Sequence, residues 1–344
     1  MPLSATGSVS SLVQSLGEIP PEAVVFGRSE VMQAVRDRLD KVAAANVPVL
    51  IQGESGTGKD IIARLIHTRS PWKTGPYVKV NCPAIPGTLL ESELFGYEKG
   101  AFTGAYGAKP GRVEMAHRGT LFLDEISELD LALQAKLLQL LQDGQFCRIG
   151  AQEDKKVEVR VVCATNRQLE VEIESGTFRQ DLFYRINVVN LHLPPLRERR
   201  GDIADLANFF LDYYNRKYNC RARNLSNDLM QVLQKYHWPG NIRELENVIE
   251  RAIVLGSSEM IEIDTLPGPL RQPPDRQDVS LELPPEGIDL EVTLDRIEQR
   301  YMQMALDRVG GVQTRAAELL RVSFRQFRYK LQKFQQQRET PREG

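Results

Sequence analysis

The residues with the clearest chemical capacity form a glycine-rich loop after an apolar run. Gly53, Gly56 and Gly58 permit a tight turn whose backbone N–H groups can surround phosphate oxygens. Lys59 adds a positive charge, and a helix starting there would direct its positive dipole end at the same anion. The predicted phosphate-binding loop consists of Gly53, Glu54, Ser55, Gly56, Thr57, Gly58, Lys59 and Asp60. A strand-to-helix corner without a ligand is the alternative, and the coincidence of strand, loop and lysine argues against it.

Two adjacent acids, Asp124 and Glu125, end a second apolar run that begins at Gly119. A buried strand seldom ends in paired carboxylates unless a cation or a reacting water molecule needs them. Asp124 suits a magnesium ion, and Glu125 suits polarising the water that attacks a phosphoryl group. Together the two motifs predict hydrolysis of a nucleoside triphosphate with Mg²⁺. A strand end at the surface is the weaker interpretation of the acids because the glycine-rich loop lies upstream.

The segments that must position these residues alternate between strand-like and helix-like patterns. From about residue 24 to residue 266 this alternation is typical of an α/β domain with a parallel sheet. Predicted strands cover residues 47–52, 77–81, 120–123 and 157–164. Helical periodicity prevails from residue 202 onward and predicts a lid with helices at 202–218, 227–236 and 242–255.

Composition divides the chain into five regions. Residues 267–287 contain six prolines and few large apolar side chains, which is typical of a linker. The first residues are rich in Ser, Gly and Pro. We expect a flexible leader at 1–21, an α/β core at 22–200, a helical lid at 201–266, a linker at 267–287 and a small all-helical domain at 288–344.

The bulk composition is that of a globular protein. Of the 344 residues, 42% are hydrophobic and 26% are charged, and the net charge is −2. The four cysteines and four histidines are dispersed without a CxxC pair, which argues against a zinc site. The sequence shows neither a secretion signal nor a long apolar run, so we expect a cytoplasmic protein without a membrane partner.

The last segment is basic and has the pattern of a helix-turn-helix. Between residues 308 and 338 there are eight Lys or Arg and a single acid, Glu318. A first helix ends at Gly310-Gly311 and carries an apolar stripe of Leu290, Leu294, Ile297, Tyr301 and Met304. A second helix covers residues 314–320, and Ser323 caps a third at 324–334. Two such helices joined by a short turn are typical of DNA-binding proteins.

The third helix of this segment is the predicted recognition helix. Arg and Gln can read base edges through paired hydrogen bonds, whereas Lys and Tyr more often hold phosphates. The candidate DNA-binding residues are Ser323, Arg325, Gln326, Arg328, Tyr329 and Lys330. Phe324, Phe327 and Leu331 share a face and are expected in the core. A solvated helix face is the alternative for the basic stretch.

One stretch between the two nucleotide motifs is specific enough to indicate a family. Residues 100–105 read Gly-Ala-Phe-Thr-Gly-Ala, the signature hexapeptide of the sigma-54-dependent transcriptional activators, which are AAA+ ATPases. Residues 93–99, 178–185 and 238–245 resemble other blocks of the family. The resemblance covers about residues 22–266. It includes Asp60, because the residue after the loop lysine is typically acidic in this family. The tail resembles the family's Fis-type helix-turn-helix domain, although Arg321 departs from the glycine usual in its turn.

The resemblance implies a fold and residue roles for ATP hydrolysis. The fold would be an AAA+ P-loop parallel sheet with a helical lid, followed by a small helix-turn-helix domain. Asp124 would organise Mg²⁺, and Glu125 would activate water. Asn81 would hold Glu125 in a way that depends on the γ-phosphate. Asn166 and Arg243 would be the first and second sensors of the nucleotide.

The resemblance also implies contacts between proteins. Arg179 and Arg185 would reach the nucleotide of a neighbouring subunit as arginine fingers, so self-assembly from a dimer to a hexameric ring is expected. A surface salt bridge is the alternative for either arginine. The implied contact with sigma-54 consists of Gly100, Ala101, Phe102, Thr103, Gly104 and Ala105. A buried hairpin turn is the alternative for this loop.

The implied function is ATP-dependent activation of transcription. The protein would bind enhancer sites in double-stranded DNA and remodel the sigma-54 RNA polymerase holoenzyme to the open complex. A DNA-binding repressor or scaffold and a different AAA+ remodeller are alternatives, against which the intact hexapeptide and the tail argue. About twenty residues precede the core. Regulation would therefore act in trans or through expression, unless the chain is part of a longer protein.

Overall fold

A computed structural model describes residues 19–220, 224–256, 260–266, 289–309 and 312–339. Most of the expected leader, the expected linker at 267–287 and the Gly310-Gly311 helix end lie outside the described residues. The described end of the leader is part of the folded core, because Pro20 is buried and Ile19 packs against core residues. The described residues include no helix with the length and apolar character needed to cross a bilayer.

Strands and helices alternate from residue 22 to residue 192. The elements in chain order are α1 (Glu22–Phe26), α2 (Glu30–Ala44), β1 (Val49–Gln52), α3 (Lys59–Thr68), β2 (Tyr77–Asn81), α4 (Gly87–Phe95), β3 (Gly96–Tyr97), β4 (Lys109–Pro110), α5 (Arg112–Met115), β5 (Gly119–Asp124), α6 (Leu131–Asp143), β6 (Gln145–Cys147), β7 (Asp154–Lys156), β8 (Val159–Thr165), α7 (Leu169–Glu174), α8 (Gln180–Ile186) and β9 (Val189–His192).

The central sheet has five parallel strands in the order β2-β5-β8-β1-β9. Successive side chains point to opposite faces, so Val49 and Ile51 join one buried cluster while Leu50 joins the other. Apolar runs are therefore needed on both faces, as is usual for parallel sheets covered by helices. The four predicted strands are confirmed. Strand β9 was not predicted because it is a short edge strand with one fully buried apolar residue, Leu191.

The lid consists of helices that share a core with the sheet. Its elements are α9 (Ile203–Tyr218), β10 (Asn224–Leu225), α10 (Asn227–Lys235), α11 (Asn241–Leu255) and β11 (Met260–Ile261). Trp238 is fully buried between α10 and α11, and its indole N–H donates to the Leu233 carbonyl oxygen at 2.7 Å. Phe210 and Ile249 belong to the same buried cluster as Ile51. The lid and one face of the sheet thus share a single apolar core.

The tail forms a second compact unit with its own small core. Its helices are α12 (Leu290–Arg308), α13 (Gln313–Leu319) and α14 (Phe324–Glu339). The buried residues are Met302, Ala305, Ala316, Ala317 and Phe327. Phe327 and Leu331 pack in this unit as predicted, whereas Phe324 is 44% exposed because it stands at the first turn of α14. Arg321 has a left-handed backbone (φ 56°), which a glycine would adopt without strain.

Candidate functional site

The phosphate-binding loop joins β1 to the first turn of α3 and is shaped by glycine. Gly56 and Gly58 have positive φ values of 79° and 96°, a region that side chains with a Cβ rarely adopt. A Cβ atom on Gly56 would lie 2.3 Å from the carbonyl oxygen of Gly240 in the lid. The loop therefore needs glycine both for its turn and for its contact with the lid. An N-terminus of a helix after such a turn suits a phosphate group.

Lys59 and Glu125 form an ion pair across the loop. Lys59 is 6% exposed, and its Nζ donates to the Gly53 carbonyl oxygen at 2.9 Å and lies 3.1 Å from Glu125 Oε1. Glu125 Oε2 accepts a hydrogen bond from the backbone N–H of Asn166 at 2.9 Å. Glu125 also has a left-handed backbone (φ 57°), a strain that often marks a functional residue.

The contact predicted between Asn81 and Glu125 is not formed in this structure. Asn81 ends β2 opposite Asp124 in the sheet register, one residue from Glu125. The oxygens of Glu125 are instead held by Lys59 and by Asn166, both among the described residues. The structure thus brings Asn81, Asp124, Glu125 and Asn166 to one edge of the sheet, with Glu125 turned toward the loop.

Two carboxylates converge beside the loop where a divalent cation is expected. Lys79 Nζ lies 3.4 Å from Asp124 Oδ2 and 3.6 Å from Asp60 Oδ2. Burial raises the pKa of Asp124, and the nearby Lys79 opposes that effect. Asp60 Oδ2 is buried and has no hydrogen-bond partner among the described residues. Carboxylate oxygens from two elements, one of them without a hydrogen bond, fit a Mg²⁺ ion that also binds phosphate oxygens.

Residues of the lid and of the segment before it hold the loop in place. Arg243 Nη1 donates to Ser55 Oγ at 3.1 Å, so the predicted lid arginine does reach the loop. Glu54 faces Arg197, at 2.6 and 2.9 Å, and this guanidinium lowers the pKa of Glu54. Glu54 is therefore an anchor of the loop, and its carboxylate points to Arg197.

Asn241 is a second anchor that sequence reasoning missed. It is fully buried with φ 53°, and its Oδ1 accepts from the N–H of Leu196 at 2.8 Å. Its Nδ2 donates to Glu54 Oε2 at 3.1 Å and to the Ser55 carbonyl oxygen at 3.0 Å. One amide thus ties the lid to the phosphate loop. The sequence offered one indication of this role, since Asn241 lies two residues before the predicted lid residue Arg243.

An apolar cleft beside the loop was also missed. Its enclosed space is about 30 Å³, room for about two water molecules, so the cleft is narrow in this structure. Apolar residues from the first described segment and from the lid line it: Pro20, Val24, Val25, Phe209, Phe210 and Ile242. Its polar lining includes Thr57 and Arg199, and burial lowers the pKa of Arg199 to about 10. Thr57 and Gly58 in the lining place this apolar cleft next to the phosphate loop.

The two predicted arginine fingers lie at α8: Arg179 immediately precedes this helix, and Arg185 lies in its last turn. Arg179 pairs with Asp181, with nitrogen–oxygen distances of 2.6 and 3.0 Å. Arg185 is exposed, and its Nη2 donates to the neutral carbonyl oxygen of Leu141 at 2.7 Å. Of the two, only Arg179 has its charge balanced by a carboxylate in these contacts.

The hexapeptide forms a compact loop on the β3–β4 hairpin between α4 and α5. Gly100 and Gly104 have φ values of 84° and 104°, and the Gly100 N–H donates to the Ala105 carbonyl oxygen at 2.9 Å. Phe102 is 43% exposed and meets the Tyr97 ring edge-on at 4.9 Å. Thr103 is exposed. The loop is therefore a surface feature, and the buried-turn interpretation is wrong for Phe102 and Thr103.

The predicted DNA-contacting residues lie on the first turns of α14. Ser323 and Gln326 form a capping box, in which the Gln326 N–H donates to Ser323 Oγ at 3.3 Å. Ser323 Oγ in turn donates to Gln326 Oε1 at 2.9 Å, so that amide oxygen is already engaged. Arg325, Arg328 and Tyr329 are exposed. Lys330 pairs with Glu298 of α12.

Three known domain families match successive parts of the chain. The sigma-54 interaction domain matches residues 25–192, and the AAA+ ATPase lid domain matches residues 197–282. The description "Bacterial regulatory protein, Fis family" matches residues 293–334. The first match covers the phosphate loop, the paired acids and the hexapeptide.

Curated relatives share much of this sequence. Regulatory protein AtoC of Escherichia coli is 46% identical over 90% of this chain and 67% of its own length. Response regulator protein PilR of Pseudomonas aeruginosa is 42% identical over 92% of this chain and 71% of its own length. The Nif-specific regulatory protein of Azotobacter vinelandii is 46% identical, and the chain spans 59% of its length.

A solved structure supports the same relationship. NtrX of Brucella abortus in complex with ATP is 35% identical, with a TM-score of 0.67 over 89% of this chain and 68% of that chain. NtrX in complex with ADP has the same TM-score. The parallel sheet with a helical lid and a helix-turn-helix tail agrees with these matches. This chain belongs to the sigma-54-dependent transcriptional activators, whose central domain is an AAA+ ATPase and whose tail is a Fis-type DNA-binding domain.

Proposed function

We propose that this chain hydrolyses ATP with Mg²⁺ and uses the cycle to remodel the sigma-54 RNA polymerase holoenzyme to the open complex. The observation that carries the proposal is the position of the hexapeptide. Its loop stands on a separate hairpin at the end of α4, and none of its side chains joins the phosphate site. Chemistry and partner contact are thus assigned to different elements that one short connection links.

The connection runs from Asn81 to the loop. Asn81 ends β2 beside Asp124, and helix α4 begins six residues later and leads into β3. A change in the partner of Asn81 or Glu125 on phosphate binding would therefore shift the start of the segment that carries Phe102. A ligand changes a conformational equilibrium only through different contacts with its two states. The loop would accordingly bind sigma-54 better in one nucleotide state.

The hydrolysis step follows from the placement of the side chains. Asp124 would hold Mg²⁺, with Asp60 near the same position, and the bound ion would supply the positive charge that neutralises phosphate oxygens. Lys59 would release Glu125 to face the γ-phosphate. Glu125 would then accept the proton of the attacking water, and Asn166 would orient that water or the phosphate. Arg243 already reaches Ser55 of the loop and would contact the phosphates from the lid.

The cationic charge from a neighbouring subunit would complete the site. In this assignment Arg185 is the stronger finger, because its present partner is a neutral carbonyl oxygen that it can leave without losing an ion pair. Arg179 would first have to give up Asp181. A finger supplied in trans makes hydrolysis conditional on assembly, so we propose a ring of up to six subunits.

Binding to enhancer DNA would involve two copies of the tail. The stripe predicted on α12 is largely exposed in a single copy, with Leu290 62%, Leu294 52%, Tyr301 58% and Met304 57% exposed. These residues recur at steps of four, seven and three, the spacing of a helix that packs along a partner helix. A paired tail would present two α14 helices to two half-sites of DNA.

The decisive experiment compares hydrolysis with promoter opening. Thr103→Ala should keep ATP turnover and assembly but abolish ATP-dependent open-complex formation on a sigma-54 promoter. Thr74→Ala is a matched control, because Thr74 is also an exposed threonine but lies outside the hexapeptide. Open complexes formed normally by Thr103→Ala would refute the assigned role of the loop. Turnover without any opening by the unmodified chain would favour a repressor, a scaffold or another remodeller.

A further inference from the structure

Lys79 is a cation at the metal end of the site, and none of the roles above uses it. It lies in the middle of β2, and its Nζ is 3.4 Å from Asp124 Oδ2 and 3.6 Å from Asp60 Oδ2. The Phe122 ring centre lies 5.7 Å from the same nitrogen. The side chain is 26% exposed, so the ammonium group is largely enclosed by its partners.

The two carboxylates need a compensating charge when no metal is bound. Asp60 is 12% exposed and Asp124 is 19% exposed, so two like charges lie close to one ammonium group with little water around them. Lys59 is in direct contact with other groups, because its Nζ is held by the Gly53 carbonyl oxygen and by Glu125. Among the described residues, Lys79 is the cation within ion-pair distance of both acids.

We propose that Lys79 is a positioning residue that takes the place of the divalent cation between Asp60 and Asp124 until metal and nucleotide arrive together. The ammonium keeps the two carboxylates at the separation seen here and reduces the negative charge that an incoming triphosphate meets. It also competes with Mg²⁺ for the same two oxygens. This inference rests on the proposed function, because it assigns Lys79 a task in the same ATP site.

The proposal has different consequences for the metal-free and the metal-loaded nucleotide. Without Lys79 the carboxylates repel a metal-free triphosphate more strongly, so its affinity falls. The same change removes a competitor of Mg²⁺, so the metal-loaded nucleotide is affected little and half-saturation needs less metal. The factor by which Mg²⁺ tightens nucleotide binding should therefore increase.

Binding of a fluorescent ATP analogue to the full chain tests this. We compare Lys79→Met, Lys79→Arg and unmodified protein in EDTA and in saturating MgCl₂. Lys73→Met serves as a control, because Lys73 is exposed and lies before β2. We expect Lys79→Met to bind about tenfold more weakly in EDTA and within about threefold of normal in MgCl₂, with Lys79→Arg close to normal in both.

The outcomes separate this proposal from the function on which it rests. Equal weakening of Lys79→Met in both buffers would show a purely structural role and would overturn the proposal, as would unchanged binding in EDTA. A Mg²⁺ half-saturation point that moves upward in Lys79→Met would also overturn it. If the unmodified chain binds the analogue in neither buffer, the ATP site itself is wrong.

Discussion

Replacing Glu125 by glutamine tests the chemistry and the resting state of the site together. The substitution keeps the shape and the oxygen that faces Asn166 but removes the negative charge that pairs with Lys59. At the observed 3.1 Å, two unit charges in an effective dielectric of about 20 attract each other by about 5 kcal/mol. Lost hydration offsets most of this in a partly exposed pair, which leaves on the order of 1 kcal/mol.

That pair competes with phosphate for the same lysine. In Glu125→Gln the ammonium of Lys59 no longer has to leave a carboxylate, and the γ-phosphate no longer meets a negative charge. We therefore expect ATP to bind about fivefold more tightly, which corresponds to the net energy above. Hydrolysis should fall by about 10²- to 10⁴-fold, because the proton acceptor for the attacking water is lost.

Two measurements on one protein preparation check this. Titration with a fluorescent ATP analogue gives the affinity, and phosphate release under saturating ATP gives the turnover. Glu128→Gln is the control, because Glu128 lies three residues further on and pairs with Arg167. Turnover within tenfold of normal would refute the assignment of Glu125 as the base. Weaker ATP binding would refute the competition between carboxylate and phosphate for Lys59.

Three further expectations concern assembly, the lid and DNA. Arg185→Ala subunits mixed with Lys59→Ala subunits should regain part of the ATPase activity that each lacks alone, and failure to regain any in a proven mixed ring would exclude a finger in trans. Asn241→Ala should lower the free energy of unfolding by about 1–3 kcal/mol in urea denaturation, because it leaves the buried Leu196 N–H and Ser55 carbonyl oxygen unsatisfied. Alanine also fits the left-handed backbone at this position poorly. An unchanged midpoint would contradict the tie between lid and loop. Arg325→Ala and Arg328→Ala should each weaken site-specific DNA binding, by about 1–3 kcal/mol if the contact is to a base edge, and leave ATP turnover unchanged; equal affinity in a gel-shift titration would refute the recognition-helix assignment.

Local patterns predicted those parts of the fold whose causes are local. Apolar runs predicted four strands of the sheet, because strands buried on both faces need such runs. The glycines and the paired acids at the ends of two of these runs predicted the phosphate loop and the acidic pair. Strand β9 lacks that signature, since an edge strand buries little. Phe324 was misplaced because its helix face was judged by spacing, while its position at the first turn leaves it uncovered.

The rest of the site depends on which distant residues meet. The cleft combines Pro20 and Val24 with Phe209 of the lid, a meeting that no short pattern encodes. Lys79 faces Asp124 only because β2 and β5 are neighbours in a given register. Sequence spacing likewise does not determine that Lys59 pairs with Glu125.

The buried cluster that joins sheet and lid has a consequence for local unfolding of the ATPase core. Ile51 of the sheet and Ile249 of the lid lie in one continuous cluster, so neither layer can open widely without exposing the apolar side chains of the other. Amide hydrogens of β1 and α11 should therefore exchange through the same cooperative opening. The tail, with five buried residues in its own cluster, should exchange earlier and independently. A chain cut after residue 200 would lose the lid side chains of this cluster, so we expect the lid to stabilise the sheet even without nucleotide.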